Sequence, residues 1–176
     1  MSSVFKIYGA YEWSNKGDDG AVGGKKNTTT PKVMKEIVSR IEKQASPLFS
    51  KHKIKIQYNR LRATAGGFLF ETISNRIRKA DAVIFDITNN NPNVMFELGI
   101  ALEASKNSDS FKIYLIHEGD DYSEVKLPSD LLGFYFTLYS LKGEKIILHD
   151  SQSIVMRLES EIAEKFNISY YEDEAS

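Results

Sequence analysis

Cysteine is absent from the 176-residue chain, which excludes disulfides and thiolate metal sites. Net charge is nearly absent too, because 23 basic and 24 acidic side chains leave a formal charge of -1. With no sequence-wide basic field to attract phosphate backbones, nucleic acid is not an expected partner. No apolar run approaches the length needed to span a bilayer, so no membrane association is expected. The start MSSVFKIYGAYEW lacks the basic-then-apolar build of a signal peptide, and the expectation is a cytoplasmic protein. The only histidines are His52, His117 and His149, which have no ligand spacing, so no metal is expected.

What is present suits a folded chain. Hydrophobic content of 41% and charged content of 27% lie near globular averages and argue against general disorder. The length suits a single domain, placed at residues 1–169, followed by an acidic flexible tail at 170–176. No internal repeat or long linker divides it.

Residues 4–11, VFKIYGAY, are rich in β-branched and aromatic side chains and read as a first strand. A polar, glycine-heavy loop follows over 14–30, ending at a cap residue and a helix-starting proline, Thr30-Pro31. Val33, Met34, Ile37, Val38, Ile41 and Ala45 then recur at helical spacing and predict a helix over about 31–46. Residues 53–59, KIKIQYN, alternate with period two as a half-buried or edge strand does. Leu69, Ile73, Ile77 and Ala80 form the stripe of a second helix. The continuous apolar runs 82-AVIFDI-87 and 111-FKIYLIH-117 read as strands covered on both faces, with a helix between them that contains Glu97. A short helical turn is expected within 118–133, a fifth strand at 134–139, a pairing segment at 145–149 and a last helix at 152–166.

This alternation predicts an α/β fold, a flavodoxin-like three-layer sandwich with a central, mostly parallel five-stranded sheet and helices on both faces. Ligands in such sheets settle beyond the carboxyl ends of the strands. That rule selects the 9-GAYEW-13 turn, the Arg60 to Gly67 segment, Asp86 to Asn93, and the loop from His117. Two phosphate motifs fail there. A Walker A loop ending at Gly24-Lys25 would need glycine at Asp19 and Ser or Thr at Lys26, and no G-x-G-x-x-G follows the first strand.

Glu97 is the candidate catalytic residue. If Asn93 caps its helix, a capping-box glutamate belongs at Phe96, so Glu97 sits one position too late for that job. A carboxylate near a helix N-terminus with Val94, Ile100 and Ala101 as neighbours is desolvated on one side and favoured by the dipole on the other. A first-turn acid that merely complements the dipole is the competing reading. Candidate substrate-binding residues around it are Tyr8, Gly9, Trp13, Arg60, Asp86, Asn91 and Asn93. Aromatic rings there can stack on a base and Arg60 can meet a phosphate. Asp86 and the asparagines can hold sugar hydroxyls, or equally serve turn and cap.

The string Ala80-Asp81 through Asp86-Ile87-Thr88, followed by Asn91-Pro92-Asn93-Val94 and Phe96-Glu97-Leu98-Gly99-Ile100-Ala101, resembles a block of the nucleoside 2-deoxyribosyltransferase and bacterial Toll/interleukin-1 receptor (TIR) superfamily. Ile7-Tyr8-Gly9-Ala10 and Leu127-Pro128-Ser129-Asp130-Leu131 are similar to the same group, so most of residues 4–166 is covered. The resemblance implies that Glu97 is the catalytic carboxylate in cleavage of an N-glycosidic bond of NAD, a nucleotide or a nucleoside. It implies no required cofactor, NAD or a nucleotide as substrate, self-association as a homo-oligomer, and a role in bacterial antiviral defence. Nucleoside 2-deoxyribosyl transfer is one alternative; a non-catalytic nucleotide-binding or protein-interaction signalling module is another. The long first loop departs from the transferase pattern and leaves substrate identity open.

Overall fold

The computed structural model describes residues 3–12, 29–61, 69–106, 111–131, 133–149 and 151–168. Trp13, most of the 14–30 loop, residues 62–67 and the acidic tail, all singled out by the sequence, lie outside the described residues. Six strands form one sheet: β1 Ser3–Ala10, β2 Ile54–Arg60, β3 Ala82–Asp86, β4 Lys112–Glu118, β5 Phe136–Lys142 and β6 Lys145–Leu148. Their order is β2-β1-β3-β4-β5-β6, with β1 to β5 parallel and β6 antiparallel at the edge. The order 2-1-3-4-5 is that of one common doubly wound sheet. The expected five strands are corrected to six, and the sheet curls as a half-barrel does. β5 runs on through Ser140, Leu141 and Lys142, so the turn to β6 is Gly143–Glu144, where Gly143 adopts a φ of 63°. A positive φ at the first turn position suits glycine in a two-residue hairpin.

Among the described residues five helices cover the sheet: α1 Thr29–Gln44, α2 Ser46–Lys51, α3 Leu69–Arg78, α4 Pro92–Ser105 and α5 Ser151–Lys165. Alternation along the strands assigns each helix to a face. Phe5, Ile7, Ala82, Ile84, Ile116 and Tyr139 point one way and pack against Val33, Met34, Ile37 and Ile41 of α1 and Ile154, Leu158 and Ile162 of α5. Val83, Phe85, Ile87 and Leu115 point the other way and meet Ile73 and Ile77 of α3 and Val94, Leu98 and Ala101 of α4. All five residues of β3 are buried, which is why this stretch carries no period-two polarity. Burying each large apolar side chain contributes about 1.5–3 kcal/mol before entropic costs, so both faces carry a substantial share of the stability.

The helix expected at 31–46 begins two residues earlier and ends at Gln44, and the short α2, with Pro47 near its start, follows at once. Thr30 is therefore inside α1, fully buried, instead of preceding the helix as a cap. Between β4 and β5 the described residues form only two 3-10 turns, Tyr122–Glu124 and Ser129–Leu131, and no α-helix. The face opposite α3 and α4 is completed by α5, which packs beside α1.

Candidate functional site

β1 and β3 are neighbours in the sheet, yet the helices that follow them, α1 and α4, lie on opposite faces. A crevice opens beyond strand ends where successive connections diverge in this way. Asp86 ends β3 there, and its carboxylate is almost wholly buried. Its Oδ2 accepts hydrogen bonds from Thr30 Oγ1 at 2.6 Å and from the Tyr139 hydroxyl at 2.8 Å. Its Oδ1 accepts the Thr88 backbone N–H at 3.0 Å and the Thr88 hydroxyl. Thr88 Oγ1 in turn accepts the Glu118 backbone N–H at 2.8 Å. Four donors match the accepting capacity of a carboxylate. One anion thus ties the start of α1, the middle of β5, the end of β4 and the turn after β3. This is the turn-capping alternative for Asp86.

That turn delivers α4. Asn90 takes a φ of 48°, a region that asparagine tolerates better than most residues, and Asn89 Nδ2 donates to Glu12 Oε2 at 2.9 Å. Asn91 is the cap: its Oδ1 accepts the backbone N–H of Asn93 at 3.0 Å and of Val94 at 3.4 Å, with Pro92 opening the helix. The cap expected at Asn93 therefore moves two residues earlier, and Asn93 is exposed in the first turn. Glu97 lies correspondingly deeper in the helix, further still from a capping-box position.

Glu97 is half-buried, and burial pushes its carboxyl up from an ordinary 4.5 to about 7, while the Arg60 guanidinium pulls in the opposite direction. Among the described residues no hydrogen bond is made to its carboxylate. The other acids and polar side chains of the same stretch have evident structural work. Asp81 accepts the Lys6 backbone N–H at 2.7 Å and pairs with Lys165 Nζ at 2.6 Å, Asp86 and Thr88 fasten the strand ends, and Asn91 caps α4. Glu97 stands apart from them. A carboxyl with a value near 7 is poised between its ionised and neutral forms at neutral pH.

Arg60, the last residue of β2, stacks its guanidinium over the Tyr11 ring at 4.2 Å and donates from Nη2 to the Tyr11 carbonyl at 3.3 Å. Tyr8, Tyr58, Asn59, Arg60 and Arg76 line a cleft of about 440 Å³. Gly9 passes directly beneath the Tyr58 ring, and a Cβ there would sit 2.5 Å from the phenol oxygen. The Tyr58 hydroxyl is buried beside Tyr11 without a hydrogen bond of ordinary geometry among the described residues, and burial raises its pKa far above the usual phenol value. Larger clefts of about 670 and 550 Å³ lie at the opposite, N-terminal ends of the strands, around Lys53–Ile54 and around Phe5, Asp81 and Lys112. Strand-end chemistry does not place a ligand there.

Of the residues nominated by sequence, the structure gathers Tyr8, Gly9 and Arg60 around one cleft, with Glu97 within electrostatic reach of Arg60. Asp86 and Asn91 serve the turn and cap beside it. Thr30, Tyr58, Arg76 and Tyr139 were not nominated. Arg76 precedes the stripe residue Ile77, which placed it near the sheet-facing side of its helix, but nothing local tied it to β2. Among the described residues no group of three or more His, Asp or Glu side chains is arranged to hold a metal ion, and no helix is long and apolar enough to cross a membrane. Comparison of the sequence with protein-family models and with curated proteins found no match.

Proposed function

We propose that the protein cleaves the N-glycosidic bond of NAD or a nucleotide, with Glu97 as the central carboxylate. The observation that carries this reading is a half-buried acid in the second turn of α4, raised to about 7 by burial and making no hydrogen bond among the described residues. When the bond from the anomeric carbon to the base nitrogen breaks, its electron pair leaves with the base and the ribose becomes oxocarbenium-like. An ionised carboxylate beneath the ring stabilises that charge or attacks the carbon, and water then adds its hydroxyl to the anomeric carbon and gives up its proton to Glu97 or to solvent, releasing ADP-ribose from NAD or the ribose phosphate from a nucleotide. If a second base replaces water, the same steps give transfer, as in a deoxyribosyltransferase. The resemblance to the TIR group extends the proposal to a role in antiviral defence.

The ionised form of Glu97 is the active one, so turnover rises as pH rises through about 7. The test is chromatographic detection of free base after incubation with NAD and a nucleoside panel, for the parent and for Glu97→Gln. Loss of about 10³-fold or more in the variant is expected. No base release by the parent at any protein concentration refutes the enzymatic reading. Nucleotide binding that is tight, fruitless and unchanged in Glu97→Gln makes the protein a binding module. A second reading, self-association through helix faces, is favoured by the exposed Phe70 and Phe96, whose rings pair at 6.4 Å across α3 and α4. Light scattering that shows a monomer at all concentrations refutes it.

A further inference from the structure

β2 is one outer strand of the sheet and β6 is the other, and the two edges differ. β6 is only four residues long, and its outward Ile146 carbonyl accepts a hydrogen bond from Arg40 Nη2 of α1 at 3.3 Å. β2 is seven residues long, and its pairing with β1 fixes which of its backbone groups are used. The Ser3 N–H donates to the Lys53 carbonyl at 3.2 Å and the Leu61 N–H to the Gly9 carbonyl at 2.9 Å, so the odd-numbered residues between them turn their backbone groups towards β1. The N–H and C=O groups of Ile54, Ile56 and Tyr58 therefore point away from the sheet. Among the described residues none makes a hydrogen bond to them. Such a row is a template for one more strand.

Side chains around this edge select the strand it can take. Ile54 and Ile56 turn to the face covered by α1 and α2, while Lys55 and Gln57 are exposed on the other. The cleft of about 670 Å³ lies between this half of β2 and the corner of α1 and α2, with Phe49, Ile54 and Ile56 as its apolar wall. Lys53 and Lys55 also line it, against Glu42 of α1, and neither lysine has an ion pair among the described residues. From 51 to 60 the sequence KHKIKIQYNR contains no acid. A second copy of this edge laid on the first would bring cations only to cations, and like charges across strands repel. We propose that the open edge of β2 takes an extended acidic segment of a partner protein as an added strand, with acids at alternate positions against Lys53 and Lys55 and an apolar side chain between them on Phe49 and Ile56. Alternate residues of a strand share a face about 6.6 Å apart, so acids two positions apart match two lysines two positions apart. Main-chain hydrogen bonds supply the affinity and the alternate side chains the choice of partner. This inference is independent of the chemistry proposed for Glu97.

The experiment titrates fluorescein-labelled peptides into the whole protein by anisotropy: TEVEVEVT, its lysine counterpart TKVKVKVT, and TEVEVEVT methylated at every peptide nitrogen. Amide hydrogen exchange is followed by NMR alongside. The acidic peptide is expected to bind at least about tenfold more tightly than the lysine peptide, by a margin that shrinks as salt rises, and methylation of its backbone should abolish binding. Exchange at the Ile54, Ile56 and Tyr58 amides should slow by about tenfold or more in the complex, while the Lys55 and Gln57 amides, already bonded to β1, change little. In the double variant Lys53→Glu and Lys55→Glu, at two exposed positions, the preference should reverse to the lysine peptide. No saturable binding of the acidic peptide up to about 1 mM overturns the inference. Binding that survives methylation also overturns it, since that contact would be ion pairing without strand addition. Equal affinity for the two peptides in the parent, or an unchanged preference after charge reversal, rules out the acidic partner. Protection of the Ile54, Ile56 and Tyr58 amides that grows with protein concentration in the absence of peptide assigns the edge to a second copy and overturns the inference as well.

Discussion

Replacing Glu97 with glutamine should make the folded protein more stable at pH 8, and the gain should vanish by pH 4.5. A carboxyl whose folded pKa is raised binds its proton more tightly in the folded state than in the unfolded chain. Its contribution to stability is therefore fully present below the unfolded value of 4.5 and is lost as pH rises through about 7. At 1.36 kcal/mol per pH unit, the rise from 4.5 to about 7 sets a ceiling of about 3.4 kcal/mol on that loss. The side chain is only half-buried, and solvent screening reduces this to about 2 kcal/mol. Glutamine keeps the size and removes the charge, so it avoids the penalty at every pH. For a 176-residue chain, about 2 kcal/mol corresponds to a Tm higher by about 4–8 °C at pH 8. The assay is thermal and urea unfolding of both proteins at half-unit steps from pH 4.5 to 8. A variant equal to or weaker than the parent at pH 8, or a difference independent of pH, refutes the claim that burial sets the state of this acid. The expected trade of stability for charge is common where activity needs a strained site.

Three further changes probe the surroundings. Arg60→Gln removes the charge that opposes burial at Glu97, so a carboxyl-carbon NMR titration should show the Glu97 midpoint move above about 7; a midpoint that stays or falls contradicts the placement. Asp86→Ala removes the acceptor of the Thr30 and Tyr139 hydroxyls and of the Thr88 N–H and should cost about 3 kcal/mol or more in urea unfolding, with a loss under about 1 kcal/mol counting against the fastening role. Tyr58→Phe deletes a buried hydroxyl that has no hydrogen bond of ordinary geometry among the described residues and should stabilise by about 1 kcal/mol, whereas a loss of that size would mean the phenol has a partner.

Local pattern and long-range contact divide what was legible. The run from Ala82 to Ile87 declared a strand buried on both faces because five of five side chains in β3 are inside. The stripe Val33, Met34, Ile37, Ile41 marked α1 for the same reason: periodicity is local and survives in one dimension. The cap of α4 was misplaced because four asparagines fall within five residues, and only geometry distinguishes Asn91 from Asn93. The sixth strand was underweighted because four residues, Lys145 to Leu148, carry little signal without the turn at Gly143. Glu97 was legible as an acid out of place in an apolar helix. Arg76, in the cleft with Arg60, was not, and neither were Thr30 and Tyr139, which lie 56 and 53 positions from Asp86. Contacts of that separation are made by topology, which no window of sequence displays.

Among the described residues no α-helix lies between β4 and β5, and this bears on the order of assembly. On a ribosome the strands β1, β3 and β4 are made long before α5, and α1 alone cannot roof their shared face. Phe5, Ile84 and Tyr139 must wait for Ile154, Leu158 and Ile162 to emerge before that side is dry. A nascent chain halted before Ser151 would carry a finished core on one side and an open apolar floor on the other, a surface suited to capture by a chaperone.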